Sequence, residues 1–197
     1  MSEPPRAKGP IVPRIPAGDS RTRLVCDECG FIRYDNPKIV VGAVCALGDR
    51  LLLCRRAIEP RRGFWTIPAG FLELNETPDA GAKREAKEEA EAEIAIDVLL
   101  AVYAVARISQ VQLIYRARLA SPDVRPGIES EEVGLYAWDA IPWDRLAFPS
   151  VHWALNDYRA TRGQSAFPPC TNPPGETGDR MPGASRSGRS GRSAEER

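Results

Sequence analysis

Six runs of apolar residues predict β-strands at residues 38–46, 50–57, 64–67, 94–106, 110–120 and 134–138. The first two runs are joined through Gly48-Asp49, a sequence that favours a hairpin turn. Only three residues separate the fourth run from the fifth, which predicts a second hairpin. Because two helices are interspersed with these strands, the pattern predicts an α/β fold with a mixed sheet.

The first predicted helix covers residues 77–90. Thr77 is a favourable N-cap residue, and Pro78 suits the first turn, where no N–H partner is needed. Alanines recur at every fourth position and predict close packing against a sheet: Ala82, Ala86 and Ala90. The second helix is predicted to begin at Ser150 and to end at Gly163. Its apolar residues have helical spacing: Val151, Ala154, Leu155 and Tyr158.

Both ends of the chain differ from the middle. Residues 1–20 contain five prolines and predict a disordered or extended tail, and residues 166–197 are rich in Pro, Gly, Ser and Arg and predict disorder. A formal net charge of zero provides no overall field for nucleic acid, and the apolar run 39–47 is too short to span a membrane. Five cysteines, an odd number, and no apolar leader favour a reduced, cytoplasmic protein.

Charged side chains recur at fixed spacings between Gly70 and Ala92: Glu76, Arg84, Glu85, Glu88 and Glu89. The last three glutamates lie at i, i+3 and i+4 and therefore share one helical face. Their mutual repulsion would be relieved by a hard cation with oxygen ligands, for which Mg²⁺ or Mn²⁺ fits best. The alternative is a solvated Glu- and Lys-rich surface. The complete spacing favours the metal site.

This stretch resembles the Nudix box, which reads Gly, five residues, Glu, seven residues, Arg-Glu, an apolar residue, any residue, Glu-Glu, any residue, Gly, an apolar residue. Every charged position is filled, and Glu91 stands where the motif has its second glycine. The resemblance extends over residues 16–163, to a subgroup of Nudix hydrolases with an N-terminal zinc ribbon. Its plant relatives hydrolyse FAD and ADP-ribose. The motifs that carry it lie at residues 34–38, 53–56, 63–71 and 141–143.

The resemblance implies a Nudix-type α/β/α sandwich over residues 37–165. It also implies hydrolysis of a nucleoside diphosphate linked to another moiety, written NDP-X. With ADP-ribose or FAD, the products would be AMP plus ribose 5-phosphate or FMN. The implied metal ligands are the Gly70 carbonyl and the carboxylates of Glu85, Glu88 and Glu89. Arg84 is expected to pair with a box carboxylate such as Glu76 and to hold its orientation.

The resemblance leaves the general base open, because some members use a box glutamate and others a glutamate on a later loop. The loop candidates are Glu129, Glu131 and Glu132. Among them, Glu132 is the candidate catalytic residue. Solvated loop charges are the alternative.

Substrate binding has four candidate residues. Arg55 and Arg56 are suited to clamp a diphosphate, although alternation along a strand lets at most one of them face the site. Trp65 and Phe71 are candidates for stacking on a base or flavin, with core packing as the alternative for each.

The zinc ribbon is where the chain departs from the subgroup. Cys26-Asp-Glu-Cys29-Gly30, within residues 21–36, looks like the second knuckle of a ribbon, but the matching positions of the first knuckle hold Pro4 and Ala7. Structural zinc requires four ligands, so we expect a degenerate ribbon without structural zinc.

Three other functions remain open. One is a different enzymatic activity, that of an NADH pyrophosphatase. The other two are not enzymatic: a non-catalytic nucleotide sensor and a zinc-ribbon interaction module. The expected partner is a small-molecule nucleotide substrate, with no nucleic acid and no membrane. The resemblance adds a homodimer as a further expectation.

Overall fold

A computed structural model of the protein describes residues 7–181. The chain divides into two compact units, Met1–Pro37 and Lys38–Arg197. In the described part of the first unit, three antiparallel strands form one sheet in the order β1-β2-β3: β1 (Ile11–Arg14), β2 (Arg23–Cys26) and β3 (Ile32–Arg33). β1 falls within the predicted N-terminal tail, where backbone pairing with β2 fixes an extended conformation. Residues 1–6 lie outside the described residues.

In the described part of the second unit, seven strands form one sheet: β4 (Lys38–Leu47), β5 (Arg50–Arg56), β6 (Trp65–Thr66), β7 (Ala69–Phe71), β8 (Ile94–Val105), β9 (Gln110–Leu119) and β10 (Ser130–Ala137). Their order is β10-β5-β4-β9-β8, while β6 pairs with β5 and β7 pairs with β4. β4 and β9 are parallel, and the other strand pairs are antiparallel. The sheet is therefore mixed, and both predicted hairpins are confirmed.

Two helices, α1 (Pro78–Ala90) and α2 (Pro149–Thr161), are buried in separate core layers. On β4, Ala43 belongs to a cluster with Ala86 of α1, whereas the next residue, Val44, belongs to a cluster with Ala154 of α2. Because successive strand residues point to opposite faces, the helices cover opposite sides of the sheet. This arrangement confirms the α/β/α sandwich. Neither helix of the described residues is both long and apolar enough to cross a bilayer.

The ends of both helices differ in detail from the sequence expectation. Thr77 precedes α1, but its hydroxyl donates to the Asp79 carboxylate at 2.6 Å instead of capping the backbone. After Ala90, Glu91 takes a left-handed conformation with φ 49°. α2 begins at Pro149, so Ser150 lies inside the helix.

The chain beyond α2 is ordered further than its composition predicts. Cys170 pairs with β8 through two backbone hydrogen bonds, to Leu100 and Val102, each of 2.9 Å. The Asn172 side chain exchanges two hydrogen bonds with the backbone of Ala104, of 2.9 and 2.8 Å. Disorder is therefore wrong for residues 170–181, which we call the C-terminal segment. The expectation for residues 182–197 lies outside the described residues.

Candidate active site

A cavity of about 1080 Å³ opens between α1, β7, the start of α2 and the C-terminal segment. All its lining residues belong to the second unit. The cavity brings together most of the predicted site residues: Arg56, Gly70, Phe71, Arg84, Glu85, Glu88 and Glu89. Three predicted residues do not line it: Arg55, Trp65 and Glu132.

Arg84 is the centre of an ion-pair network on α1. Its guanidinium lies 2.8 Å from a carboxylate oxygen of each of Glu76, Glu85 and Glu88, and it also donates to the Phe71 carbonyl at 3.0 Å. The pairing with Glu76 was expected from the resemblance and is confirmed. Arg84 lowers the pKa of Glu76, and Glu76 in turn accepts the Glu73 N–H at 2.7 Å. Arg84 therefore links the turn before α1 to the glutamates on the helix.

Glu85 is buried against the backbone of β7. A Cβ atom at Gly70 would lie 2.4 Å from both carboxylate oxygens of Glu85, so any side chain at this position would displace the Glu85 carboxylate. Burial raises the pKa of Glu85 despite its pairing with Arg84. The missing Gly70 side chain thus allows a carboxylate to approach a strand whose carbonyl groups are additional oxygen donors.

Glu89 is the most deeply buried of these carboxylates, with 5% of its surface exposed. Its Oε2 atom has no hydrogen-bond partner. Burial, reinforced by the charge of Glu85, raises the pKa of Glu89 to about 8. An unpaired buried carboxylate is costly, and a bound cation removes that cost.

The donor chemistry of the helix suits Mg²⁺ or Mn²⁺, because both prefer carboxylate and carbonyl oxygens. Within residues 7–181, however, no three Asp, Glu, His or Cys side chains are already grouped as a metal site. Glu85 and Glu88 instead share the Arg84 guanidinium. The oxygen atoms needed for a cation are present, while two of the three carboxylates are paired with an arginine.

The loop before β10 is docked on the end of α1. The N–H of Arg125 donates to the carbonyl of Ala90 at 2.9 Å, and that of Gly127 donates to the carbonyl of Glu89 at 3.1 Å. A Cβ atom at Gly127 would lie 1.7 Å from the Glu88 carbonyl oxygen. This close approach brings Glu129 to the cavity, where its charge contributes to the raised pKa of Glu85 and of Glu89.

Glu132 lies away from these groups. A register shift between Ser130 and Glu132 places both Glu131 and Glu132 beside Arg55, at 3.1 and 3.3 Å from its guanidinium. Among the loop glutamates, the structure therefore places Glu129 on the cavity and pairs the other two outside it. Arg55 itself forms these two ion pairs outside the cavity.

The remaining predicted residues divide between cavity and core. Arg56 lines the cavity while Arg55 does not, as strand alternation required. Trp65 is buried and packs edge-on against Tyr136, with ring centroids 5.1 Å apart. Phe71 lines the cavity and is half exposed, with Lys38 over its ring.

Sequence reasoning missed Arg61, which lines the cavity beside Arg56. Arg61 has a left-handed backbone with φ 66°, and its Nε donates to the Ala147 carbonyl at 3.2 Å. A signal was available in the turn sequence around Pro60 and Gly63, which presents arginines at its tip. Two arginines therefore face the cavity from one short loop and its strand.

The first unit holds the remaining sequence motif. The Sγ atom of Cys26 accepts the Gly9 N–H at 3.3 Å. A backbone hydrogen bond from Cys29 is the main reason that the pKa of Cys26 is lowered to about 7. In the described part of this unit, Cys26 and Cys29 are the only cysteines.

Two family models match the chain. The NUDIX domain model matches residues 36–154, and the Nudix N-terminal model, a zinc ribbon, matches residues 8–35. The second match coincides with the three-stranded sheet of the first unit.

Three known proteins are similar to this chain. The crystal structure of a NUDIX hydrolase from Nitrosomonas europaea has a TM-score of 0.78 and 47% identity, and the match covers 83% of this chain and 94% of that chain. A MutT-like protein of Streptomyces ambofaciens is 35% identical over 55% of this chain and 68% of its own length. The ADP-ribose pyrophosphatase of Methanocaldococcus jannaschii is 25% identical over 58% of this chain and 69% of its own length.

Proposed function

Since the chain belongs to the Nudix family of hydrolases, we propose that it cleaves the pyrophosphate bond of an NDP-X substrate, with ADP-ribose or FAD as the best candidates. The products would be AMP and either ribose 5-phosphate or FMN. One observation carries the proposal: a single cavity combines the buried Glu85 and Glu89 with Arg56 and Arg61, two arginines that form no ion pair within residues 7–181. The name of the Methanocaldococcus relative supports the choice of ADP-ribose.

The size of the cavity supports a substrate with two bulky halves. Pockets for drug-sized ligands usually measure roughly 300–1000 Å³, and this cavity of about 1080 Å³ lies just above that range. A dinucleotide or nucleotide sugar fills such a volume better than a single mononucleotide does.

The glutamates and the two arginines of the cavity have different roles in hydrolysis. Glu85, Glu88 and Glu89 would hold a divalent cation, which supplies charge neutralisation and activates a water molecule. Arg56 and Arg61 neutralise the diphosphate and fix its orientation. A water oxygen attacks one phosphorus atom, and the bridging oxygen leaves with the other phosphate.

The proton of the attacking water requires a carboxylate within reach. Glu129 lies on the cavity wall in contact with solvent, and Glu89 lies deeper with one oxygen unpaired. Arg84 positions its carboxylate partners and accepts no proton, because an arginine remains charged at all relevant pH values.

The second candidate function is a non-catalytic nucleotide sensor. It would use the same cavity but would not need the three glutamates at box spacing. Their retention, together with the burial of Glu85 and Glu89, favours the hydrolase. An NADH pyrophosphatase would use this same machinery on a different X group.

The test is hydrolysis of a substrate panel by the wild type and by Glu89→Gln. The panel is ADP-ribose, FAD, NADH, a dinucleoside polyphosphate and dNTPs, with Mg²⁺ or Mn²⁺ and with EDTA as the metal-free control. We expect turnover of ADP-ribose or FAD and loss of that turnover in Glu89→Gln and in EDTA. Tight binding of one compound without turnover under any condition would instead support the sensor.

We also propose that the first unit keeps the ribbon fold without a stable intramolecular zinc ion. Cys26 and Cys29 supply two ligands of the four that a structural site needs. Metal analysis of protein purified without chelators should find zinc far below one equivalent per chain. One tightly held equivalent would contradict this proposal.

A further inference from the structure

The C-terminal segment forms one wall of the cavity. Gly178, Asp179 and Met181 all line it. The segment is fixed to β8 by the backbone pairing of Cys170 and by the two hydrogen bonds between Asn172 and Ala104. The NUDIX domain match ends at residue 154. This wall therefore lies outside the part of the chain that the domain model describes.

Asp179 is the acidic group of this wall. Its carboxylate accepts hydrogen bonds from the Arg107 Nε and the Thr177 hydroxyl, each of 2.8 Å. These two donors, Thr177 first, hold the pKa of Asp179 below its ordinary value. The carboxylate is thus ionised and oriented at neutral pH, and it retains lone pairs for further donors.

Two amide side chains line the cavity together with Asp179. Gln110 and Gln112 are on β9 and are half-buried, and the Gln112 amide donates to the Gln110 side-chain oxygen at 3.4 Å. Carboxylate and amide oxygens that line one cavity are suited to accept hydrogen bonds from the adjacent hydroxyl groups of a sugar. A flat aromatic base instead requires an aromatic or apolar surface, which Phe71 and Phe148 provide on the cavity.

We propose that Asp179 of the C-terminal segment, together with Gln110 and Gln112 of β9, binds sugar hydroxyls of the X group, so that this end of the substrate is polyhydroxylated. This inference rests on the proposed function, since it assigns one end of the same substrate. Asp179 is its specificity-determining residue, and Arg107 positions the Asp179 carboxylate.

The test measures the binding of each product separately by isothermal titration calorimetry, with Mg²⁺ present. Ribose 5-phosphate represents the X end and AMP represents the nucleotide end. In Asp179→Asn, we expect the Kd of ribose 5-phosphate to rise by about tenfold or more, because hydrogen bonds to a charged group are worth roughly 1.5–3 kcal/mol. The Kd of AMP should stay unchanged.

Glu176→Gln is the matched control, because it removes the same charge from the same segment at a side chain that does not line the cavity. It should leave both Kd values unchanged. A larger change for AMP in Asp179→Asn, an equal change in both variants, or no change in either would overturn the inference. Because binding is measured without turnover, a wild type that hydrolyses no compound of the panel would refute the proposed function and leave this test valid.

Discussion

At Gly70, the absence of one carbon atom determines where a carboxylate of the candidate site lies. The Glu85 oxygens occupy the space that a Cβ atom would fill. Since the clash would be with the end of a side chain and not with backbone, an alanine at this position would displace Glu85 and leave the strand in place.

We therefore expect Gly70→Ala to fold normally but to lose activity. A displacement of about 1 Å in a catalytic group can reduce the rate by about 100-fold. The measurement is kcat/KM on the best substrate of the panel, together with the thermal unfolding midpoint. Gly134→Ala is the control, because Gly134 is in strand β10 of the same sheet and its Cβ would meet the Tyr136 ring, outside the cavity. Wild-type kcat/KM in Gly70→Ala would show that the position of Glu85 is unimportant.

At Glu91, we expect a substitution to change the stability of the protein and not its activity. It holds the left-handed position that ends α1, with φ 49°. This conformation costs a non-glycine residue roughly 1–2 kcal/mol, which a glycine would avoid. Part of that stabilisation is lost because glycine makes the unfolded chain more flexible and so increases the entropy cost of folding. Glu91→Gly should therefore raise the free energy of unfolding by about 0.5–1 kcal/mol.

Urea denaturation measures this change, and kcat/KM should remain at the wild-type value. Lys83→Gly, at an exposed position inside the same helix, is the control and should lose about 1 kcal/mol. If Glu91→Gly is also destabilising, the left-handed geometry at this position is not the source of strain.

Residue identity predicted much of the site but not all of it. The three box glutamates share a face because helical spacing is a local property, and the sequence displays it directly. Which loop glutamate reaches the cavity depends on the register shift before Glu132 and on the docking of Gly127. Both involve residues distant in the sequence, so spacing within the loop does not reveal them.

Among elements, α1 and the loop before β10 approach each other closely at Gly127. The N–H groups of Arg125 and Gly127 pair with carbonyl groups that the end of a helix leaves without partners. This docking joins the helix that carries Glu89 to the loop that carries Glu129. The two carboxylates are thus positioned by one backbone interface.

Gly127→Ala should break that interface, because its Cβ would overlap the Glu88 carbonyl oxygen and neither backbone can yield cheaply. We expect a loss of about 1–3 kcal/mol in unfolding free energy, as for an overpacked core, and a marked fall in kcat. Urea denaturation and steady-state kinetics measure the two effects. Ser165→Ala, at an exposed position in the loop after α2 and outside this contact, should change neither quantity. Normal stability in Gly127→Ala would mean that the loop is not held against α1.

Element prediction succeeded where the signal was local and failed where it was not. The Pro78 start of α1 and both hairpins follow from short sequence patterns. The parallel pairing of β4 with β9 joins residues about 70 positions apart, and no short pattern contains it. Residues 170–181 have a composition typical of disorder. They are ordered by backbone pairing with β8 and by the hydrogen bonds of the Asn172 side chain with Ala104. Composition alone does not reveal either interaction.

For the whole molecule, the division into two units has a direct consequence. Both buried clusters of the sandwich consist entirely of residues of the second unit, as does the lining of the cavity. Residues 7–37 of the ribbon-like first unit therefore contribute no side chain to either core. Its sheet consists of its own three strands, β1, β2 and β3.

We therefore expect a chain that begins at Lys38 to fold and to hydrolyse the same substrate with unchanged kcat/KM. Its thermal unfolding should remain a single cooperative transition, because the core it needs is complete. A chain that begins at residue 43 is the control. It loses the part of β4 that pairs with β7 and with the start of β9, and should not fold. If the chain from Lys38 folds but is inactive, the first unit must act on the site, for example by holding two copies together, and sedimentation of the full-length protein would then show a dimer.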